Sequence, residues 1–419
     1  MPKKNGYDWS DISSPPVLDS HSSVKHEIMC DYLRRYIAVF TKNPNVDRVR
    51  INIIDGFAGG GRYRSPVGSE ILPGSPVRLM RAMKTAEAEI NACGRIKPFT
   101  LDANYYFVEI DRGAVEQLRF SLAEFGLSSE KNVHVFHDNF LAVLPKICID
   151  IKSRSRKPRN IFILDQYGYK DVPPCVLRNL FWLFPSGTEV ILTFSTDSLI
   201  NYISTKPNFV RTLEKLNLEG LLKHPDLQDS IEIKQSRLLI EQLLYEEIQS
   251  QCGASFYTPF FIVSRKSNRA YWLIHLSSHP TARNEMLLTH WKNQNAFEHH
   301  GTNGLNMMLG YDPTFEAIAD QQTFDFYFDD DADHRVLNAL VEDIPEFLAA
   351  SEIFTVQELV FKTCNRSPAT LDQYKHALFR LQQTKVLKVL TANGKMRRSA
   401  NSISLEDHLL VTNQLFLLF

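Results

Sequence analysis

A glycine turn directly after a buried strand is the first feature of this chain that could do chemistry. Apolar residues at four positions, Ile51, Ile53, Ile54 and, past Asp55, Phe57, lead into Gly59-Gly60-Gly61. Because glycine lacks a Cβ atom, such a turn allows positive φ and lets a ligand lie against the main chain, next to the free N–H groups of the following helix. Many ordinary strand-to-helix turns also contain glycine. The turn therefore needs acidic partners before it can be interpreted as a nucleotide site.

Acidic residues follow two later strands of the same kind. The strand YYFVEID ends at Glu109, and VHVFHDNF leads to Asp138 and Phe140. A carboxylate at the end of the second strand of a nucleotide-binding sheet accepts ribose hydroxyls, so we expect Glu109 to bind a ribose. We expect Asp138 to receive the amino group of adenine, with Phe140 near the ring. The predicted cofactor site consists of Asp55, Phe57, Ala58, Gly59, Gly61, Glu109, Asp138 and Phe140.

A third candidate lies after the strand IFIL, where Asp165, Gln166 and Tyr167 precede a glycine. An acceptor for an amino group beside an aromatic face is what a base-modifying site needs, since the acceptor holds the nucleophilic nitrogen while the ring stacks on the base. These three residues are our predicted catalytic residues. The alternative interpretation is a strand terminus with a capping Asp.

The elements around these residues predict an α/β fold with a Rossmann-like parallel sheet. An amphipathic helix from VKHEI onward covers the first strand, and we expect its Lys25 and His26 to lie on a solvated polar face. A long loop over the glycine turn ends at Ser75-Pro76, where the expected helix has Ser75 as N-cap and Pro76 at its first position. FYTPFFIV and YWLIHLSSHP form a terminal antiparallel hairpin, which matches class I methyltransferases better than dehydrogenases. We expect a flexible arm over residues 1–20 and this α/β domain over 21–325, with a helical insertion at 203–251.

The C-terminal part follows an acidic break, DFYFDDDAD, and predicts a winged helix-turn-helix domain over residues 335–419. Three helical patterns precede two short strands that we expect to be joined at Asn393-Gly394. Basic residues on the expected recognition helix and wing indicate a phosphate-contacting surface, with docking of a protein as the alternative. The predicted nucleic-acid contacts are Lys375, Arg380, Lys388, Lys395, Arg397 and Arg398.

Composition restricts the class of protein. The chain has 419 residues and a formal net charge of -1, so its overall charge does not identify a partner. Its six cysteines include no CxxC pair, which argues against a disulfide scaffold or a zinc finger and suits a reducing cytosol. Nowhere do about 18 apolar residues run uninterrupted. We expect a cytoplasmic protein with no metal site and no membrane segment.

These motifs together resemble the three-Cys-motif partner family (TcmP), bacterial proteins with a class I methyltransferase-like domain. The resemblance rests on VKHEI, IDGFAGGGRY, GSP at residues 74–76, FVEID, the strand end DQYG and YWLIHLSSHP. It spans residues 25–280. Family members usually read FAGPG and DPFG or DPYG, whereas this chain has Gly60 and Gln166 at the two proline positions. The resemblance implies S-adenosylmethionine as cofactor and a neighbouring three-Cys-motif protein as partner.

The sequence leads to two functional hypotheses. The first is an S-adenosylmethionine-dependent methyltransferase that acts on nucleic acid, DNA rather than RNA, at a base amino group, in a bacterial modification or defence system. The second is a nucleic-acid-binding component or partner protein whose methyltransferase fold is catalytically inactive.

Overall fold

The computed structural model describes most of the chain as two compact units. It describes residues 7–128, 131–195, 199, 207–216, 218, 220, 235–264, 269–293, 296–299, 304–307, 324–327, 330–351 and 353–412. One unit comprises residues 1–231 and 246–289, and the other comprises 232–245 and 290–419. The division after residue 289 lies ahead of the expected limit at 325, and the domain limits themselves stay predictions. None of the described helices is long and apolar enough to cross a bilayer.

The first unit is built on a seven-stranded sheet with the order β5-β4-β1-β6-β7-β9-β8. Its strands are β1 (Arg48–Asp55), β4 (Thr100–Glu109), β5 (Val133–His137), β6 (Asn160–Leu164), β7 (Thr188–Phe194), β8 (Phe256–Ser264) and β9 (Arg269–Ser277). Neighbours from β5 to β7 are parallel, whereas β9 is antiparallel to both β7 and β8. This is the order of a Rossmann-like class I methyltransferase sheet closed by an antiparallel hairpin, so the predicted fold class is confirmed.

Helices connect the parallel strands, since each crossover between parallel strands requires one, and further helices precede and follow these crossovers along the chain. They are α1 (Ser20–Thr41), α2 (Ser75–Ala92), α3 (Arg112–Glu124), α4 (Phe140–Arg154), α5 (Pro174–Leu183), α6 (Pro207–Leu216), α7 (Gln235–Gln251) and α8 (Pro280–Lys292). The strands β6 and β7 are buried along their whole length, as expected for apolar runs in a two-sided parallel sheet. The helices α6 and α7 lie in the predicted insertion.

The loop over the glycine turn is more regular than its composition indicates. It forms a small antiparallel pair, β2 (Arg62–Arg64) and β3 (Ile71–Pro73). The N-cap of α2 is Gly74, not Ser75, and no side chain caps this helix. The expectation of a Ser75 cap was wrong because the Ser75 hydroxyl instead donates to Asp55, 2.6 Å away.

Residues 7–19 pack against the unit, which differs from the flexible arm we expected. Val17 forms a parallel bridge with Arg64 of β2, and Arg62 donates to the Ile12 carbonyl over 2.9 Å. Trp9 is buried with Leu18 in one hydrophobic cluster. Prolines and serines prevent a helix here, but the exposed edge of a β-pair and an aromatic anchor still fix the segment in place.

The second unit contains the three expected C-terminal helices and a short sheet. These elements are α9 (Asp330–Ala349), α10 (Val356–Thr363), α11 (Leu371–Gln383), β12 (Leu387–Leu390) and β13 (His408–Val411). A further pair, β10 (Ala296–His299) and β11 (Phe324–Tyr327), precedes them. Both α10 and α11 begin with a capping box, which satisfies the first free N–H groups of each helix.

The wing differs in detail from the expected hairpin. A tight turn at Gly394, with φ of +74°, brings Met396 to a single bridge with Leu390. The main partner of β12 is instead β13, which lies in the C-terminal stretch. The expected second strand after Asn393-Gly394 was therefore wrong in its extent, since the chain leaves β12 after one bridge.

Candidate functional site

The carboxyl ends of β1, β4 and β6 bring three carboxylates to one edge of the sheet. Asp55 pairs in register with Phe107 of β4 and with Ile163 of β6. Glu109 and Asp165 therefore each lie two residues beyond the level of Asp55, on its two sides. Ligands of open α/β sheets bind at this edge, where the chain order reverses direction.

Asp55 is held behind the glycine turn. One carboxylate oxygen accepts from the Phe57 N–H over 3.2 Å, and the other accepts from Ser75. Burial, together with the nearby charges of Asp165 and Glu109, raises the pKa of Asp55 to about 7 in spite of these two hydrogen bonds. A cation placed at this edge would favour the ionised carboxylate.

The glycine turn has the backbone that its sequence requires. Gly59 and Gly61 have φ of +62° and +73°, a region that side chains with a Cβ atom disfavour. Gly60 is required because there is no space for a side chain, since a Cβ atom there would lie 2.4 Å from the Trp9 ring and 2.8 Å from Gln117. The turn thus lies directly under the packed N-terminal segment.

Glu109 links the end of β4 to this turn. Its carboxylate accepts from the N–H groups of Gly59 and Asp111, each over 2.9 Å. Burial raises the pKa of Glu109, while these backbone donors act in the opposite direction. A carboxylate has about four lone-pair positions, so the two bonds leave capacity for hydroxyl donors such as those of a ribose.

The predicted adenine neighbours lie close to Glu109 but differ in exposure. The Asp138 N–H donates to the Glu109 carbonyl over 3.1 Å, and the Asp138 side chain is exposed. Phe140 is buried, and its ring centroid lies 6.0 Å from that of Phe57. A Cβ atom at Gly56 would approach Phe140 within 2.9 Å, so this ring packs under the turn.

Asp165, at the end of β6, forms an ion pair with Lys25 of α1. The Lys25 Nζ lies 2.6 Å and 2.7 Å from the two carboxylate oxygens. Although burial opposes ionisation, the charge and hydrogen bonds of Lys25 hold the pKa of Asp165 below its usual range. The expectation that Lys25 and His26 lie on a solvated face was wrong, since both are buried.

The residues around this pair have distinct environments. Burial lowers the pKa of His26 to about 3, and the charge of Arg78 adds to that effect, so the imidazole is neutral. Gln166 accepts from the N–H groups of Asp171 and Val172 through its side-chain oxygen. Tyr167 is 58% exposed. Of the predicted catalytic residues, Tyr167 is therefore the one whose side chain is open to solvent, and it presents an aromatic face.

The basic side chains of the second unit divide into free and internally paired ones. Arg397 lies 2.7 Å from both oxygens of Asp407, and Arg380 donates to Asn338 over 2.9 Å. Lys375 lies 3.9 Å from Asp372. Of the six predicted contacts, Lys388, Lys395 and Arg398 are exposed and have neither an ion pair nor a side-chain hydrogen bond among the described residues. Asp407 compensates the charge of Arg397 within the fold, which leaves Arg397 less available to a phosphate than the other predicted contacts.

Sequence reasoning missed three contributors to the site, namely Lys25, Ser75 and Trp9. Lys25 was assigned with His26 to a solvated polar face, because helical periodicity does not distinguish a residue in a buried ion pair from one on a solvated face. Trp9 stands among polar residues and prolines. A large aromatic in such a segment is the available signal, since exposed tryptophan is uncommon.

Comparisons with known proteins agree with this architecture in part. Residues 310–394 match the family described as GMT-like wHTH domain, and no curated protein matches the chain. A Legionella pneumophila protein of unknown-function family 519 is 12% identical over 64% of this chain and 90% of its own, with a TM-score of 0.36. The O-methyltransferase TomG from Streptomyces achromogenes, solved in complex with SAM, is 13% identical over 59% of this chain and 80% of its own, with a TM-score of 0.29. An O-methyltransferase from Bacillus cereus, solved with SAH, is 12% identical over 58% of this chain and 80% of its own, with a TM-score of 0.27. Because these scores are low, the methyltransferase-like fold is assigned from the strand order, and the winged helix from the matched residues.

Proposed function

We propose that the protein is an S-adenosylmethionine-dependent methyltransferase that acts on nucleic acid. One observation carries this proposal. Glu109 and Asp165 lie at the same height in the sheet, on the two strands that flank Asp55, and the strands follow the order found in class I methyltransferases. Three carboxylates and one lysine at this edge suit a ligand that carries both positive and negative charges. A nicotinamide dinucleotide, with its negative pyrophosphate, fits these carboxylates less well.

The groups that would hold the cofactor follow from the described contacts. Glu109 has lone pairs free for ribose hydroxyls, and the positive φ of Gly59 and Gly61 suits residues that add no side chain of their own to the turn. Asp138 and Phe140 are the proposed neighbours of the adenine. When bound, S-adenosylmethionine supplies an activated methyl group.

The proposed acceptor is a base amino group at the Asp165–Tyr167 end of β6. The exposed Tyr167 ring offers a stacking face for an unstacked base, a sequence-tolerant contact worth about 1–3 kcal/mol per base. Asp165 already accepts two bonds from Lys25, so the amino group would use its remaining lone pairs. Methyl transfer would then depend mainly on positioning.

The winged helix is the proposed nucleic-acid-binding module, and DNA is the proposed partner. The support is the exposed charge of Lys388, Lys395 and Arg398 on the wing and its neighbouring strand. The resemblance to the TcmP family adds two further proposals: a three-Cys-motif protein as a partner, and a role in bacterial DNA modification or defence.

The ion pair on Asp165 also favours a second candidate function. A carboxylate that is bound by an internal lysine, next to Gln166 in place of a proline, is what an inactive descendant of a methyltransferase would show. In that case the protein binds nucleic acid without modifying it.

Transfer of a labelled methyl group to DNA distinguishes the two candidates. The active enzyme transfers label, loses transfer on Tyr167→Ala, and keeps it on substitution of the exposed Trp182 on α5 by Ala. Absence of transfer from a preparation that binds both DNA and S-adenosylmethionine would contradict the proposal and favour the inactive component.

A further inference from the structure

The Lys25 ammonium has a hydrogen-bonding position that the described residues do not fill. Its Nζ donates to both oxygens of Asp165, at 2.6 Å and 2.7 Å, and the lysine is 6% exposed. A lysine ammonium has three N–H donors. No described residue accepts the third one.

Two other buried polar groups, on the residues that follow Lys25 and Asp165 in the chain, are also unfilled. His26 Nδ1 and Gln166 Nε2 have no hydrogen-bond partner among the described residues, although their residues are 5% and 2% exposed. Buried polar atoms are nearly always paired in proteins. His26 interacts electrostatically with both Lys25 and Asp165, so its unfilled Nδ1 and the third Lys25 donor together indicate a position for a polar ligand group.

The register of the sheet places this position opposite the proposed ribose site. Glu109 and Asp165 lie at the same level on β4 and β6, with β1 between them. Neighbouring strands are about 4.8 Å apart, so the two strand ends are separated by about 10 Å. A nucleoside with its ribose at Glu109 and a short chain extending across β1 would bring the end of that chain to Lys25.

The charges around Lys25 determine which chemical group can bind there at the end of the ligand's chain. Asp165 repels an anion and His26 is neutral, so Lys25 is the cation that allows an anion to bind beside Asp165. A group with one negative and one positive charge suits the pair better than an anion alone, because the positive charge can share Asp165. Arg78 is the other nearby cation, and its Nε donates to the Pro73 carbonyl over 2.9 Å.

We propose that Lys25, oriented by Asp165, binds the α-carboxylate of the amino-acid end of S-adenosylmethionine. This inference rests on the proposed function, since it assigns a further residue to the proposed cofactor. Lys25 is a cofactor-binding residue in this account, and Asp165 positions it.

The test compares S-adenosylmethionine with its decarboxylated form, which lacks only the α-carboxylate. Calorimetry on the full chain should show that the wild-type protein binds the complete cofactor about 10- to 100-fold more tightly, as expected for a hydrogen bond between charged groups. Lys25→Met should reduce the ratio of the two affinities to near one, because it should weaken binding of the complete cofactor and leave binding of the decarboxylated form unchanged. Because Lys25→Met alone leaves Asp165 unpaired, Lys25→Met/Asp165→Asn provides a variant without a buried charge, and it should show the same loss.

The outcomes separate this inference from the proposed function. Lys97→Met, at an exposed lysine, should keep the wild-type preference. Equal binding of both compounds to the wild-type protein, or a preference that survives Lys25→Met or disappears on Arg78→Gln instead, would overturn the role of Lys25 while the cofactor proposal stands. Failure of the wild-type protein to bind either compound would overturn both.

Discussion

At the scale of single residues, the site combines carboxylates whose protonation is set by opposite environments. Asp165 keeps a low pKa because Lys25 compensates its charge, whereas Asp55 forms no ion pair with the described residues and its pKa rises to about 7 through burial. The same residue type therefore carries a charge at one strand end and is partly neutral at the next. Sequence showed both aspartates but not this difference, because the compensating lysine lies 140 positions away from Asp165.

The raised pKa of Asp55 predicts a pH dependence of stability. The folded state holds a proton on Asp55 that the unfolded chain releases at about pH 4. Stability from this group is therefore fully present below about pH 4 and is lost as pH rises to about 7. Asp55→Asn cannot ionise, so the variant should gain stability relative to the wild-type protein over this window, by up to about 4 kcal/mol at about 1.4 kcal/mol per pH unit.

Thermal or denaturant unfolding at several pH values measures this difference. A stability difference between Asp55→Asn and the wild-type protein that stays constant between about pH 4 and pH 7 would contradict the raised pKa. Because His26 titrates in the opposite sense, with a lowered pKa, only the comparison of variants isolates Asp55.

At the scale of elements, the strands were predicted well and the pieces that cover them were not. Buried apolar runs such as β6 and the β8–β9 hairpin have periodicity that sequence shows directly. The packing of residues 7–19 depends instead on contacts with β2 and on a pocket for Trp9 between Gly60 and α3. Such contacts join distant parts of the chain, so no local pattern encodes them. The second strand of the wing was placed wrongly for a similar reason, since β13 returns to β12 after a long connection.

The contact between Trp9 and Gly60 predicts a measurable coupling. Gly60→Ala places a Cβ atom against the Trp9 ring, so it should destabilise the protein by about 1–3 kcal/mol, as overpacking usually does. In a Trp9→Ala background the methyl group added by Gly60→Ala meets open space on the side of the missing ring, so Gly60→Ala should reduce the free energy of unfolding by clearly less. A double-mutant cycle by chemical denaturation measures both values. Effects that add within about 0.5 kcal/mol would show that the segment does not pack as described.

At the scale of the whole molecule, the chain joins a methyltransferase-like unit to a unit that contains a winged helix. The near-zero net charge conceals the exposed basic residues of the second unit, and the distribution of charge is the more informative quantity. The proposed roles of the two units can be tested separately, because nucleic-acid contact and cofactor binding involve different residues.

Binding of duplex DNA should weaken steeply with salt if the exposed basic residues contact phosphates. Lys395→Gln and Arg398→Gln should each weaken binding and lower the slope of log K against log salt by about one. Arg397→Gln should lower stability instead, because it leaves Asp407 without its partner. Fluorescence anisotropy across a salt series measures the slope. Unchanged slopes for both variants would favour the alternative of a protein-docking module.

The central claim is that the first unit binds S-adenosylmethionine with its ribose at Glu109, and calorimetry on the full chain tests it most directly. The wild-type protein should bind the cofactor, and Glu109→Ala should weaken binding by about 10- to 100-fold, as expected for lost hydrogen bonds to a charged group. Because Glu109 also accepts from Gly59 and Asp111, the unfolding temperature of the variant has to be measured alongside. No binding to the wild-type protein, or unchanged binding to a folded Glu109→Ala variant, would contradict the account.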